Sequence, residues 1–313
     1  MSTYSFNPDG QSTPRLTPLA FTGSNLETSL AALAVRALIE EADLTPKPGL
    51  VDQRGCGAHA DLNLDLMHRS ACSLFPYFRA MAGASGGKVP SVELRKQLAS
   101  IGRDGECAMY AATGGSNSHK GAIWALGLLV SAAVLCSGTP EPLAIASMAG
   151  SIARFPDSRT LQMDANGIRV QQKYGVNGAR GEAQEGFPHV VRIGLPALLK
   201  ARSQGMPENN AKLDALVAIM AELDDTCLLH RGGMRALNAA KQGARLVLHE
   251  GGTSTTRGLN MLFQLDAELL KLNASPGGSA DLLAATLFLD SVANPSVQQA
   301  LFDDYGDAEQ WKN

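Results

Sequence analysis

Residues Thr113–Leu129 read TGGSNSHKGAIWALGLL: two glycines and a short polar cluster end in His119 and Lys120, and an uncharged run follows that lasts to Cys136. From Gly121 to Cys136 the chain is rich in Ala and Gly and carries no charge, too short for a membrane span and apolar on every side, so it reads as a buried core helix. Glycine lets a backbone approach a ligand closely, and the first N–H groups of a helix carry about half a positive charge. The mouth of this helix therefore suits either an anion or an ordinary cap.

Outward from this run the pattern is helical. Ser24 followed by Glu27 is a capping-box signature, and the spacing after it predicts a helix over 26–43, stopped by Pro46, Pro48 and Gly49. Further helices are expected over 62–81 with a kink near Pro76, over 92–112 with a break at Gly102 or Gly105, over 121–135 and over 141–155. The polar, glycine-punctuated stretch 158–190 is too long for a simple connector and is a candidate functional segment. Helical spacing resumes over 190–203, 211–229, 234–248 and 258–272, and again after the SPGG turn as far as Val292. With no sustained period-2 alternation and no internal repeat, the expected fold is all-α. It is a single multi-helix catalytic domain over 24–313, with glycine-rich loops at helix N-termini forming the pocket, after a disordered Ser/Thr/Pro-rich tail over 1–23.

Composition narrows the function. The 313 residues are 45% apolar and 18% charged, which is globular, and the net charge of −3 predicts no general affinity for nucleic acid or other polyanions. Phosphate binding, if any, must be local. The five cysteines are odd in number and form no CxxC pair, which argues against a disulfide framework or zinc ribbon and for small core residues in a reducing cytoplasm. The first residues lack the basic and apolar regions of a secretory signal.

Chemistry concentrates in glycine turns that feed helices: Thr45–Asp61, Thr113–Gly121, Tyr174–Pro188, His230–Gly233 and Ser275–Asp281. Lys47, Lys120, Arg180 and Arg231 each sit in one of them, and fixed cations beside glycine turns suit phosphates. No GxxxxGK[ST] occurs, so a Walker-type site is not expected. Carboxylates accompany the cations, Glu106, Glu182, Asp224 and Asp225 among them, and suit Mg²⁺ coordination plus a general base; Asp61 and Asp281 stand where helix caps would stand. His59, His119 and His230 fall in the turns, whereas His68, His189 and His249 fall in helical stretches and are expected to be surface or satisfied residues. Asp65 with His68 is a poor metal pair on its own.

Taken in order, these segments resemble the triphosphoribosyl-dephospho-CoA synthases that serve the citrate lyase and malonate decarboxylase systems. The matching pieces are TPKPGLVD with GAH and Asp61, Glu106 leading into TGGSNSHKG, YG..GARGEA..GFP, DT..LHRGG and PGGSADLLA, spanning Thr45–Ala284. Departures are Ser116 and Ser118 where the family has Val and Thr, and Gln53 where it tends to have Arg, with Arg54 as a possible substitute. The resemblance implies transfer of the triphosphoribosyl group of ATP to the 2′-hydroxyl of 3′-dephospho-CoA with release of adenine, with Mg²⁺ as cofactor. The product then passes to an acyl-carrier-protein phosphoribosyl-dephospho-CoA transferase, with malonate decarboxylase favoured over citrate lyase. For that reaction the residues suggest Glu182 as base, Glu106 and Asp225 as Mg²⁺ ligands, and a phosphate cradle of Gly114, Gly115, Asn117, His119, Lys120, Arg180 and Arg231. Lys47 with Gly277, Gly278, Ser279 and Asp281 would hold a second anionic group, and Asp52, His59, Tyr174 and His230 complete the substrate-binding set. A homodimer through an apolar face is compatible with this composition. Two rivals are a Mg²⁺-dependent helical hydrolase of ribosyl or nucleoside phosphates and a non-catalytic nucleotide sensor.

Overall fold

The structure, a computed structural model, describes residues 23–136, 141–157 and 166–294. The expected tail lies outside the described residues apart from Gly23, and so does the part of the candidate functional segment over 158–165. The helices are α1 (Gly23–Asp43), α2 (Leu64–Ser73), α3 (Phe75–Ser85), α4 (Val92–Thr113), α5 (Lys120–Leu135), α6 (Pro142–Ala153), α7 (Asn166–Tyr174) and α8 (Gly178–Gln184). A π turn (Val190–Gly194) then runs into α9 (Leu195–Ser203), followed by α10 (Glu208–Glu222), α11 (Thr226–His249), α12 (Thr256–Lys271) and α13 (Gly277–Ala293). Among the described residues there is no strand, and the fold is all-α.

Two apolar helices form its centre. Eleven of the sixteen residues of α5 are buried, and it packs on α1, α3, α4, α6 and α13. Helix α13, charged at Asp281 and Asp290, packs on α1, α5 and α10. A helix that is apolar all round has no face for water, so its neighbours must enclose it. The outer α11 and α12, by contrast, are amphipathic and pack on each other, leaving Leu246, Phe263 and Leu270 exposed.

Several boundaries differ from expectation, each for a local reason. The helix expected over 62–81 is two helices meeting at Leu74, because Pro76 stands in the first turn of α3, where its missing N–H costs nothing. Gly102 and Gly105 do not break α4; a Cβ on Gly105 would touch Tyr77 at 3.4 Å, so the small residue lets α3 lie close. The helix expected over 211–229 ends at Glu222, and Asp225 caps a new one. HRGG is no inter-helix loop: it lies inside α11, which kinks at Gly233 (φ 62°, ψ −159°). Asn63, not Asp61, caps α2. None of the five cysteines is fully buried, and Cys56 and Cys107 are exposed. The Ser24–Glu27 cap involves a side chain outside the described residues. No helix is long and apolar enough to cross a membrane among the described residues.

The central role of α5 predicts a large loss for a cavity inside it. Leu126→Ala, at a fully buried position, should lower the free energy of unfolding by about 2–5 kcal/mol in denaturant titration. A loss below about 1 kcal/mol would mean that the site collapses freely around a non-essential side chain.

Candidate active site

Helical spacing puts Arg95, Ala99, Gly102, Arg103 and Glu106 on one face of α4, and Lys120, Ile123, Trp124 and Gly127 on one face of α5. Between these faces lies a cavity of about 300 Å³, closed by the segment after α6 and by the start of α8. Glu106 binds Lys120 Nζ at 2.9 Å, and Asp157 binds Arg103 Nη1 at 2.9 Å. Trp124 donates its indole N–H to the Ala179 carbonyl at 3.1 Å, which fixes α8 over the opening. The Arg95 guanidinium lies 4.7 Å from the Trp124 ring centroid. Arg180 stands at the rim. Four cations and two carboxylates thus line one cavity of a chain whose net charge is −3.

A second polar group lies behind the first turn of α5. Lys47 is buried and gives its ammonium to the Glu41 carboxylate at 2.6 Å and to the Glu41 carbonyl. Asp52 receives the Lys47 N–H at 2.8 Å and the guanidinium of Arg54, which also binds Asp266. Arg54 therefore ties the loop over 45–61 to α12, and Gln53 donates its N–H to the Thr45 hydroxyl at 3.3 Å and its side-chain amide to the Asp43 carbonyl at 3.4 Å. His119 is buried with Nδ1 on the Ser70 hydroxyl at 2.8 Å and Nε2 without a partner among the described residues. Burial, then the charges of Lys47 and His68, lower its pKa to about 3. Asp281 sits against Gly121, where any side chain would collide with its carboxylate, and receives the Ala122 N–H. Burial, Glu41 and Asp225 together push Asp281 well above the usual carboxylate range.

Of the residues picked out by the sequence, Glu106, Lys120 and Arg180 line the cavity. Lys47, Asp52, His119 and Asp281 belong to the inner group. Gly114 and Gly115 both donate their N–H groups to the Tyr110 carbonyl, closing the end of α4 rather than facing a ligand. Asn117 accepts the Lys120 N–H at 3.2 Å and so caps α5. Asp225 accepts from the N–H groups of Cys227, Leu228, Gly278 and Ser279 and from the Ser279 hydroxyl, joining the starts of α11 and α13. Glu182 gives one oxygen to the His189 N–H at 2.8 Å and the other to His189 Nδ1 at 2.7 Å. His59 bridges Ser275 at 3.0 Å and Arg231, and burial with the Arg231 charge lowers its pKa to about 4. Tyr174 lies beside the Gly233 kink, His230 is exposed, and Gly277 packs near Cys227. His68 pairs with Asp43 at 2.7 Å, away from any metal partner. Among the described residues no group of three or more His, Cys, Asp or Glu is placed to hold a metal.

Arg95, Arg103, Trp124 and Asp157 were not singled out by motif reading. A signal existed: Arg95, Arg103 and Glu106 share a face at helical spacing, opposite the Lys120–Trp124 pair.

A family model described as CitG: ATP:dephospho-CoA triphosphoribosyl transferase matches residues 27–299. A 2-(5''-triphosphoribosyl)-3'-dephosphocoenzyme-A synthase of Klebsiella pneumoniae is 53% identical over 264 residues, covering 84% of this chain and 94% of that protein. Probable synthases of the same name from Stutzerimonas stutzeri (strain A1501) and Pseudomonas syringae pv. syringae (strain B728a) are 56% and 53% identical, covering 83% and 86% of this chain and 90% and 93% of theirs. No solved structure matches the chain.

Two predictions follow from these contacts. Asp225→Ala should destabilise the fold by about 2–4 kcal/mol whether or not Mg²⁺ is present, because it strands buried N–H groups; a loss seen only with the metal would assign Asp225 to the ion. His59 and His119 titrate below the ordinary 6.5 in the folded chain, at about 4 and about 3, so the unfolded chain takes up protons first. Stability should fall as pH drops from about 6.5 and level off only near 3. In thermal melts across that window His119→Gln should flatten the dependence, and an unchanged slope would mean that His119 protonates freely when folded.

Proposed function

The chain belongs to the family of ATP:dephospho-CoA triphosphoribosyl transferases, and on that premise we propose that it transfers the triphosphoribosyl group of ATP to the 2′-hydroxyl of 3′-dephospho-CoA, releasing adenine. The observation that carries this is the cavity between α4 and α5, a cation-rich chamber with an aromatic wall in an otherwise acidic protein. In the reaction the bond from the anomeric carbon to the adenine nitrogen breaks and a bond to the incoming oxygen forms. The proton of that hydroxyl goes to a base, and the departing ring receives one. All three phosphates stay on the sugar, so the cations serve to hold and orient the donor, and no P–O bond is cleaved.

Lys120, Arg103 and Arg180 stand where they would neutralise the phosphate chain. The residues present fit Mg²⁺ held in the usual manner, by one or two carboxylates plus substrate phosphates, with Glu106 as the protein ligand. The ion would add charge neutralisation at the phosphates. Asp225 is less suited, its oxygens being occupied by N–H groups. For the base, the other cavity carboxylate, Asp157, is better placed than Glu182, which holds His189 and the turn before the π helix. On the same reading the product passes to an acyl-carrier-protein transferase of a malonate decarboxylase system, and the exposed Leu246, Phe263 and Leu270 offer an apolar face for pairing of two copies.

The test is chromatographic. Protein mixed with ATP, Mg²⁺ and dephospho-CoA should release adenine in step with a coupled product, and no adenine would overturn the proposal. Ribose triphosphate released when dephospho-CoA is omitted would instead favour a hydrolase. Asp157→Asn should lower turnover by about 10²–10⁴-fold. Glu182→Gln should shift the melting temperature more than turnover; the reverse ranking would return the base role to Glu182.

A further inference from the structure

We infer that Arg95 is the inner phosphate-binding residue of the α4–α5 cavity, held ready for the donor's triphosphate by Trp124. This deepens the proposed function and rests on it. Arg95 is 6% exposed, lines the cavity, and stacks its guanidinium on the Trp124 ring at 4.7 Å. Among the described residues its buried Nε has no hydrogen-bond partner.

The charge around it is lopsided. Of the four cations lining the cavity, Arg103 is joined to Asp157 and Lys120 to Glu106, while Arg95 and Arg180 make no ion pair among the described residues. The field of Asp157 reaches Arg95, but so do those of Arg180 and Arg103, and burial together with these two guanidinium charges lowers its pKa. A buried guanidinium that lacks partners is costly. Lying over the indole face offsets part of that cost and restrains the donor fork. A planar fork with its N–H groups unsatisfied matches two oxygens of one phosphate, which a lysine cannot do. The two unneutralised cations are arranged in depth, Arg180 exposed at the rim and Arg95 inside, as a chain of several phosphates requires and a single carboxylate does not.

A structural arginine and a waiting one behave oppositely on removal. Arg95→Met should leave the melting temperature of the free protein unchanged or raise it, since it removes an unpartnered buried charge. The same variant should bind inorganic triphosphate, read by titration calorimetry, at least about tenfold more weakly than wild type. Its KM for ATP should rise by at least about tenfold while the KM for dephospho-CoA holds, with Arg95→Lys recovering part of the loss. Wild-type affinity for triphosphate in Arg95→Met, or a raised KM for dephospho-CoA alone, would overturn the inference. Arg95-dependent triphosphate binding in a wild type that releases no adenine would uphold this site while refuting the transferase reaction.

Discussion

Because α5 is apolar on every side and enclosed by α1, α3, α4, α6 and α13, its first turn has little access to water, and the N–H groups there must be answered by protein. Asp281 answers that of Ala122 from α13, Asn117 that of Lys120, and Gly121 is glycine because a side chain would strike the Asp281 carboxylate. The placement brings a second requirement. Asp281 feels Glu41 and Asp225 nearby, so their charges must be held in turn, Glu41 by Lys47 and Asp225 by the first turns of α11 and α13. One buried helix start thus fixes the ends of α1, α11 and α13 relative to one another. The loop over 45–61 is then drawn in, because Lys47 and Asp52 are part of it.

That arrangement separates two kinds of polar residue that resemble each other in sequence. The inner group is internally paired apart from the His119 Nε2 atom: Lys47 has Glu41, Asp52 has Arg54, and Asp225 has a full set of N–H donors. Such a group fixes helix ends. The cavity on the far side of α5 holds two cations in excess of its carboxylates. Unmet charge in an otherwise satisfied structure marks where a ligand completes the electrostatics. The paired group sets the position of Lys120, one residue after His119, and through it the mouth of the cavity.

The helical class was legible because the apolar period is strong and α5 carries no charge after Lys120. Four of the five glycine segments touch, His59 meeting Ser275 and Arg231, and Gly121 lying against Asp281. The roles of single residues were not legible. A glycine pair before a helix looks the same whether its N–H groups face a phosphate or close the preceding helix, as those of Gly114 and Gly115 do. An acidic residue before a helix looks the same whether it binds Mg²⁺ or caps, as Asp225 does. Arg95, Arg103 and Trp124 escaped notice for the converse reason, since they sit in regular helices where charge on a face ordinarily means a solvated surface. Only the packing of α4 on α5 turns that face inward.

A donor that keeps its triphosphate poses a particular electrostatic problem. The leaving group is a neutral base, so positive charge develops at the anomeric carbon while a highly anionic chain stays a few bonds away. Cations free to move would follow the charge and blunt it. Fixed ones do not, and here they are fixed by unlike means: Lys120 by Glu106, Arg103 by Asp157, and Arg95 by an aromatic face that asks for none of its hydrogen bonds. Holding a guanidinium by its plane keeps its N–H groups available, whereas holding it by a carboxylate would occupy them. Trp124 in turn is anchored through its N–H to Ala179 beside Arg180, so the inner and outer cations are set by one side chain. Loss of that indole should therefore disturb both the inner and the outer cation, even though tryptophan itself carries no charge.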